Sequence, residues 1–533
     1  ILIDTSNVPV GIRLPPTETL LLLTNPDKRG GSVIPDNAFE YVLKKQVLHC
    51  ALVVRTRKGH EKVKHKTEDI RANQVGQVKI TFTDKELTAW GGACSVVAKF
   101  LEQIEFRRWV EGHVPVEEHS PNAKGIYPKV LSLFLTCVAG GTRFSDIGSW
   151  MHGREVIAAC FGVKWLPRAA SVLTRFLGKF RRPHVERLRE SSCGLARRLL
   201  EEESVAEDDL VLDSTVCTRY GEQEGAKKGY NPGKPGRPSH HPLKASLSCG
   251  YVVNLWNRSG NVHTAHQVAG FFRQTCRGLP RALKIRRVLA DSGFCDNGFL
   301  AHLESEGRRY IVAMRLSDYV KAAIRQIAEW TEVAPGIEMA EARVCLSTWD
   351  RARRMVFVRQ HVPTRPRATG KQPTLFVDLE EHRDYRYGAM VTNEEDLPML
   401  EVWRTYRPRA KIENIIKELK EGYGWHEFNV RSFWGTEAGM LLIGMVFYNL
   451  IHHLNRRVLK TEAEAVCRLK KIRLKVLAIP ALYGSGGRLP VLRLGVSDPR
   501  MRARIRYGLQ RICRLELRLP NGNAVEPPPA LLV

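Results

Sequence analysis

The stretch Thr405–Lys420, TYRPRAKIENIIKELK, constrains this chain more than any other. Tyr406, Arg409, Glu413 and Lys420 stand at relative positions 0, 3, 7 and 14. At about 100° per residue they fall within an arc of roughly 60° on a helix. Ile412, Ile415, Ile416 and Leu419 share a second face, roughly a quarter-turn away. One face can pack on a core while the other presents a carboxylate among cations and a phenol. That set suits a site that holds a metal and an anionic backbone. An amphipathic helix with a solvated charged face accounts for the same pattern, because charge runs at helical spacing are common. Pro408 favours a helix start near that point, with Tyr406 just before it.

Two short apolar runs elsewhere end in aspartate. Leu210–Leu212, bounded by acids, reads as a buried strand with Asp213 at its carboxyl end. Val288–Ala290 repeats the theme, and Asp291 emerges from it. Between them lies a Gly-, Pro- and Lys-rich segment, Gly221 to Pro242, that is expected to be irregular and able to reach phosphates through Lys227, Lys228, Lys234 and Arg237. LKASLSC and YVVNLW read as two strands about a tight turn at Gly250, a helix is expected over His266–Arg277, and RRYIVAMRL reads as a further strand.

The spacing Y-x2-R-x3-E-x6-K, together with ADSGF ending in Phe294 and GYNPGKPGRPSHHPL ending in Leu243, resembles the bacterial insertion-sequence transposases of the DDE class that carry a YREK motif. The wording is most similar to insertion-sequence family thirteen-eighty. The resemblance implies an α/β catalytic core of RNase H-like (ribonuclease H) fold, and the element order suits it: strand with Asp, two strands, helix, strand with Asp, strand, then the Glu413 helix. It implies Asp213, Asp291 and Glu413 as catalytic and metal-binding residues. Two Mg²⁺ ions, for which Mn²⁺ can substitute, are expected about 4 Å apart, serving an in-line phosphoryl transfer. Tyr406, Arg409 and Lys420 are implied to bind DNA phosphate, Arg409 as a fork and Lys420 as a point charge. The expected partners are double-stranded DNA, as element ends and target, and a second copy of the chain in a homodimeric synaptic complex. No membrane and no small-molecule substrate are expected.

Asp213 and Asp291 are separated by 291 − 213 = 78 residues, and Asp291 and Glu413 by 413 − 291 = 122. The second gap is long for a direct connection. Residues 317–400 are therefore read as a mainly β insertion subdomain, with strand-like runs RMVFVRQHV, PTLFVDL and YRYGAMVTN. In relatives such an insert offers an aromatic that stacks on a flipped base, which makes Trp330 and Trp349 candidates; packing inside the insert is the rival account of each. The core is then split into residues 204–316 and 401–460. Residues 78–203 are read as an all-α, DNA-binding N-terminal region, in which Leu166–Arg182 is a candidate recognition helix or else a basic bundle helix. Residues 461–533 form a basic C-terminal region of short strands or basic helices. Residues 1–77, which begin with Ile and contain the basic run Arg55–Lys66, are read as an extension or misplaced start, with a DNA-binding arm as the rival.

Charge agrees with a polyanionic partner: 83 cations against 56 acids leave +27. The twelve cysteines contain no C-x2-C pair, so no zinc module is expected, and they read as reduced core residues of a cytoplasmic, nucleoid-associated bacterial protein. The adjacent pairs His240-His241 and His452-His453 cannot place both rings on one face, and no metal is assigned to them. The longest apolar run, Met440–Ile451, is too short to span a bilayer. A catalytically silent or repurposed DNA-binding relic is the alternative to an active transposase.

Overall fold

Leu210, Val211 and Leu212 are all fully buried, as are Val288 and Ala290. Continuous apolar runs of this kind form strands covered on both faces. Each such side chain contributes roughly 1.5–3 kcal/mol when withdrawn from water. They lie in a mixed sheet whose strands are β1 (Glu207–Ser214), β2 (Leu243–Leu247), β3 (Val252–Trp256), β4 (Lys284–Ala290), β5 (Tyr310–Met314), β6 (Thr331–Ala334), β7 (Ile337–Val344), β8 (Arg353–His361), β9 (Val377–Asp378) and β10 (Tyr385–Thr392). The computed structural model describes residues 84–120, 123–362, 384–407, 409–460, 466–487 and 489–520, with 74–75, 78–79 and 377–378 as strand backbone; side chains at 410–413 fall outside that description.

The chain divides into two units, Ile1–Thr83 and Asp84–Val533. In the first, Gln74–Val75 pairs antiparallel with Val78–Lys79; the rest of the expected 1–77 extension, the basic run included, lies outside the described residues. Everything below concerns the second.

The strand order is β6-β7-β8-β10-β5-β4-β1-β2-β3, with β9 paired to β10. β4 runs parallel to both β1 and β5, while β1-β2 and β2-β3 are antiparallel. The β2-β3 turn places Gly250 at φ +106°, where a side chain is disfavoured. A parallel neighbour needs a crossover, and helix Asn297–Ser305 supplies it between β4 and β5. Helix Val268–Gly278 covers β3, starting two residues and ending one residue later than the sequence suggests.

Residues 317–400 do not form a body apart. After helix Asp318–Arg325, the strands β6, β7, β8 and β10 continue the central sheet, β10 pairing antiparallel with β5 from Ile311↔Thr392 to Met314↔Ala389. The reason is physical: β5 would otherwise leave an unpaired edge of buried backbone donors and acceptors, and the insert closes it. The expected strand in PTLFVDL is described only at Val377–Asp378.

The segment from Gly221 to Pro242 is also more regular than its composition suggests. Lys227–Lys228 and Cys217–Thr218 pair on either side of Pro238–His240 in a small antiparallel sheet. Its packing relies on glycine: a Cβ at Gly229 would lie 2.0 Å from the Gly260 carbonyl oxygen.

Residues 98–202 contribute helices Ala98–Gln103, Phe106–His113, Tyr127–Ala139, Arg154–Cys160, Ala170–Gly178 and Arg182–Glu202. The candidate recognition segment Leu166–Arg182 is thus one short helix and the start of the next, with Leu173, Phe176 and Leu177 buried and Arg175 and Lys179 exposed. A single long helix, Phe433–Leu459, backs the sheet. By length and composition it could cross a membrane, unlike the apolar run read from the sequence, but 94% of its apolar window is buried within the protein. Phe134 meets Phe447 edge-on at 5.2 Å, and Arg189 reaches Glu437 at 2.6 Å, both side chains buried.

The C-terminal region contains both element types foreseen for it: a hairpin, Ala481–Gly486 with Leu489–Leu494, and a helix, Pro499–Cys513. Ala481 and Leu482 pair with Thr88 and Leu87. Gly91 N donates to Ile479 O at 2.7 Å, and Gln103 Nε2 donates to Leu515 O at 3.0 Å across 412 residues of sequence.

Candidate active site

The parallel register sets Leu212 opposite Ala290. Asp213 and Asp291 are the next residues of each strand. Neighbouring strands lie about 4.8 Å apart, so the two carboxylates leave the sheet side by side. Each is held by its own turn: Asp213 Oδ1 accepts from Ser214 N at 2.8 Å, and Asp291 Oδ1 accepts from Gly293 N at 2.9 Å. Asp213 is buried, while the Asp291 side chain keeps 33% of its exposure, so the pair opens to solvent on the Asp291 side.

One guanidinium nitrogen serves both. Arg409 Nη2 lies 3.4 Å from Asp213 Oδ1 and 3.6 Å from Asp291 Oδ2. Arg409 begins helix Arg409–Glu421, and Tyr406 ends the preceding helix, Met399–Tyr406. The four-residue arc on one helix therefore does not exist as such. Arg407 caps the first helix at its carboxyl end, Pro408 lies outside the described residues, and Tyr406 rejoins the group through space. Its hydroxyl lies 3.3 Å from Ala290 O and 3.4 Å from Arg409 Nη1. Burial pushes that hydroxyl up to about 12, with Arg409 opposing the shift.

Lys420 stands eleven residues beyond Arg409, about 16 Å along the helix at 1.5 Å per residue. Its Nζ donates to Thr215 Oγ1 at 2.6 Å and to Val216 O at 3.1 Å, pinning the chain just past Asp213. On the other face Ile415 and Leu419 are buried, as the periodicity requires. Glu413 occupies the same helix one turn after Arg409; its side chain is outside the described residues, so the structure brings together Asp213, Asp291, Tyr406 and Arg409 and leaves the third carboxylate open.

The two tryptophans sit elsewhere. Trp349 is 8% exposed with the Arg353 guanidinium 5.2 Å from its ring centre. Trp330 meets Tyr387 edge-on at 5.9 Å and carries Arg359 at 4.5 Å over its ring. Both pack within the insert's strands, so in this conformation Trp349 has no face open to a base and Trp330 already stacks a cation. The histidine pairs are likewise spent on structure: His240 Nε2 lies 2.9 Å from Glu224 O, and His452 Nε2 lies 3.1 Å from Cys249 O.

Lys244 is the residue that pattern reasoning passed over. It faces Asp213 across the β1-β2 ladder, it is 1% exposed, and its Nζ donates to Ser246 Oγ at 3.1 Å. Burial lowers its pKa to about 8, with Asp213 opposing the fall and Arg409 adding to it. The signal was a lone cation inside the small, apolar run LKASLSC. Ser214, Thr264 and His241 line the adjoining wall: Ser214 Oγ lies 3.5 Å from Thr264 Oγ1 and 3.2 Å from His241 Nε2.

Two adjacent carboxylates converging on one cationic nitrogen are a donor set for a cation. Hard oxygen donors at strand ends, partly open to water, suit a divalent ion such as Mg²⁺. Asp213 and Asp291 would hold it, with Glu413 as the further oxygen donor. Among the described residues no group of three such ligands occurs.

A mixed sheet with parallel β1, β4 and β5, antiparallel β2 and β3, and acidic strand ends fits an RNase H-like core. The chain belongs to the family described as transposase DDE domain group 1, whose model matches residues 70–517. Such transposases are nucleases and strand transferases that use divalent metal ions. No curated protein matches the chain. Among solved structures it is similar to a piggyBac transposase synaptic complex with hairpin DNA, at 11% identity and a TM-score of 0.36, over 83% of this chain and 85% of that one.

Proposed function

We propose that this protein is an insertion-sequence transposase of the YREK type. On this reading it binds the terminal inverted repeats of its element, cleaves the DNA ends and joins them to target DNA. The reading rests on one observation above all: Asp213 and Asp291 leave neighbouring parallel strands together and share Arg409 Nη2. A bound pair of divalent ions supplies activation of the attacking oxygen and charge neutralisation at the phosphodiester. The chain's own residues do the rest. Asp213 and Asp291, with Glu413, provide the oxygen donors. Arg409 balances the aspartates in the free protein and is placed to turn its fork to a phosphate oxygen. Tyr406 orients Arg409, and Lys420 fixes the strand exit that carries Asp213. Lys244 offsets the Asp213 charge from the facing position on the neighbouring strand. In-line attack by water, then by the freed 3′-OH, is the same reaction at two phosphodiesters, so one site suffices for both. The working assembly is a dimer that synapses two ends, in a bacterial cytoplasm.

The test uses duplex DNA carrying the gene-flanking ends, incubated with the protein or with Glu413→Gln, with and without Mg²⁺. Metal-dependent cuts at the repeat boundary, absent in the variant, are expected. Equal cutting by Glu413→Gln would remove Glu413 from the site. A shifted but uncut duplex with both proteins would establish the silent DNA-binding relic instead.

A further inference from the structure

Helix Pro499–Cys513 is built to be docked on. Asp498 caps it, accepting from Arg500 N at 2.9 Å, and Pro499 occupies the first turn. Ile505, Gly508 and Ile512 are buried in one seam. The opposite side carries Arg502, Arg506 and Arg514, with Tyr507 at 54% exposure between them, and Arg500 adds a charge at the start.

This face lacks the pairing found on several other helices, where an exposed arginine meets an acid a turn away: Arg107 with Glu111 at 2.9 Å, Arg182 with Glu186 at 2.8 Å, Arg404 with Glu401 at 2.8 Å. Residues 499–515 contain no acid at all, and Arg500, Arg502, Arg506 and Arg514 form no ion pair with any described carboxylate. The arrangement works against the helix itself. Arg500 and Arg502 place positive charge at the positive end of the macrodipole, and Arg502 and Arg506 repel each other as an i,i+4 like-charge pair. A polyanion would relieve both. From Arg502 to Arg514 the helix runs about 18 Å at 1.5 Å per residue. Duplex DNA presents about one phosphate charge per 1.7 Å along its axis, so several phosphates lie within that length.

We propose that this arginine face is a docking surface for the sugar–phosphate backbone of duplex DNA, engaged without regard to base sequence. Guanidinium forks suit phosphate oxygens, and the Tyr507 hydroxyl adds a donor among them. The proposal rests on the transposase reading and names where it holds DNA away from the acidic site.

The test compares the full-length protein with R500Q/R502Q/R506Q/R514Q and, as a control, with R107Q/R182Q, whose arginines are already paired. Affinity for a duplex of mixed sequence is read by fluorescence anisotropy across 50–200 mM salt. Each lost phosphate contact lowers the slope of log K against log[salt] by about 0.9, so four lower it by up to ~3.6. We expect the quadruple variant to lose at least about 2 units of slope, with a melting temperature no lower than that of the wild type and the control unaltered in slope. An unchanged slope in the quadruple variant, beside a wild type that binds duplex, overturns the docking surface and leaves the transposase reading standing. A loss of slope for single-stranded RNA but not for duplex DNA overturns it too. A wild type that binds no duplex at any salt defeats both readings.

Discussion

Replacing Lys244 with Met should make the protein more stable and less active. Lys244 is fully withdrawn from water beside Asp213, and its pKa falls from 10.5 to about 8. The drop, 10.5 − 8 = 2.5 pH units at about 1.36 kcal/mol each, is an unfavourable contribution of roughly 3 kcal/mol from keeping the amine charged at neutral pH. Methionine preserves the apolar stem and fills similar space. Its loss of the Ser246 hydrogen bond costs about 1 kcal/mol, leaving a net gain of roughly 2 kcal/mol at pH 7. The pH dependence has a definite sign. Below about pH 8 the lysine is charged in both folded and unfolded chains, and the penalty is complete. Between 8 and 10.5 the unfolded chain binds the extra proton, so wild-type stability rises with pH. The advantage of K244M is therefore complete below about pH 8 and shrinks as pH rises from there to 10.5. Urea denaturation of both proteins at stepped pH measures it. A K244M protein less stable than wild type at pH 7, or a gap that does not narrow on the alkaline side, would refute the reasoning. Metal-dependent cleavage should fall at the same time, because the charge beside Asp213 is lost; greater stability with poorer function marks a residue kept for its site.

Arg409→Met removes the cation shared by Asp213 and Asp291; breaking such a pair costs about 3–5 kcal/mol, so melting in EDTA should drop. Mg²⁺ or Mn²⁺ should then restore more stability to the variant than to wild type, and titration calorimetry should show tighter metal binding; identical metal responses would show that Arg409 does not compete for those carboxylates. Arg189→Met strands Glu437, whose pKa is raised by burial against the pull of Arg189. A raised carboxylate pKa favours the fold at low pH, so the expected loss of about 3–5 kcal/mol at pH 7 should diminish as pH falls towards 5, and R189M/E437M should recover most of it.

The half of the fold that carries Asp213 and Asp291 was legible because its signals are local. DDLVLD and RRVLAD are apolar runs that end in an acid, and strand ends are where an α/β sheet presents such residues. Helix periodicity gave the buried face with Ile415 and Leu419. Pro408 signalled the helix start near Arg409 with Tyr406 before it; what spacing could not give was that Tyr406 ends another helix and that its hydroxyl returns through space. Nor could it give Lys244, because cross-strand register depends on the turn at Gly250 and not on spacing within one run. The insert was read as a mainly β subdomain, and its strands do pair among themselves; that the last of them also pairs with β5 and so extends the central sheet lies outside what a long gap can show. Trp330 and Trp349 were nominated as the aromatics of the insert, and their partners Arg359 and Arg353 both lie on β8, Arg359 twenty-nine residues from Trp330 and brought to it only by the fold.

The contacts that join the first helices to the C-terminal region bear on how the protein is made. Gly91, Leu87, Thr88 and Gln103 find partners in residues 479–515. At roughly 5–20 residues per second on the ribosome, a stretch of 412 residues separates the synthesis of Gln103 from that of the carbonyl it bonds by about 20 s to more than a minute. During that interval the opening strand and helices lack their final neighbours. A message truncated before residue 479 would therefore yield a chain with the acidic pair intact but its helical layer unfinished. Aggregation and proteolysis would act on such a product before any DNA end could.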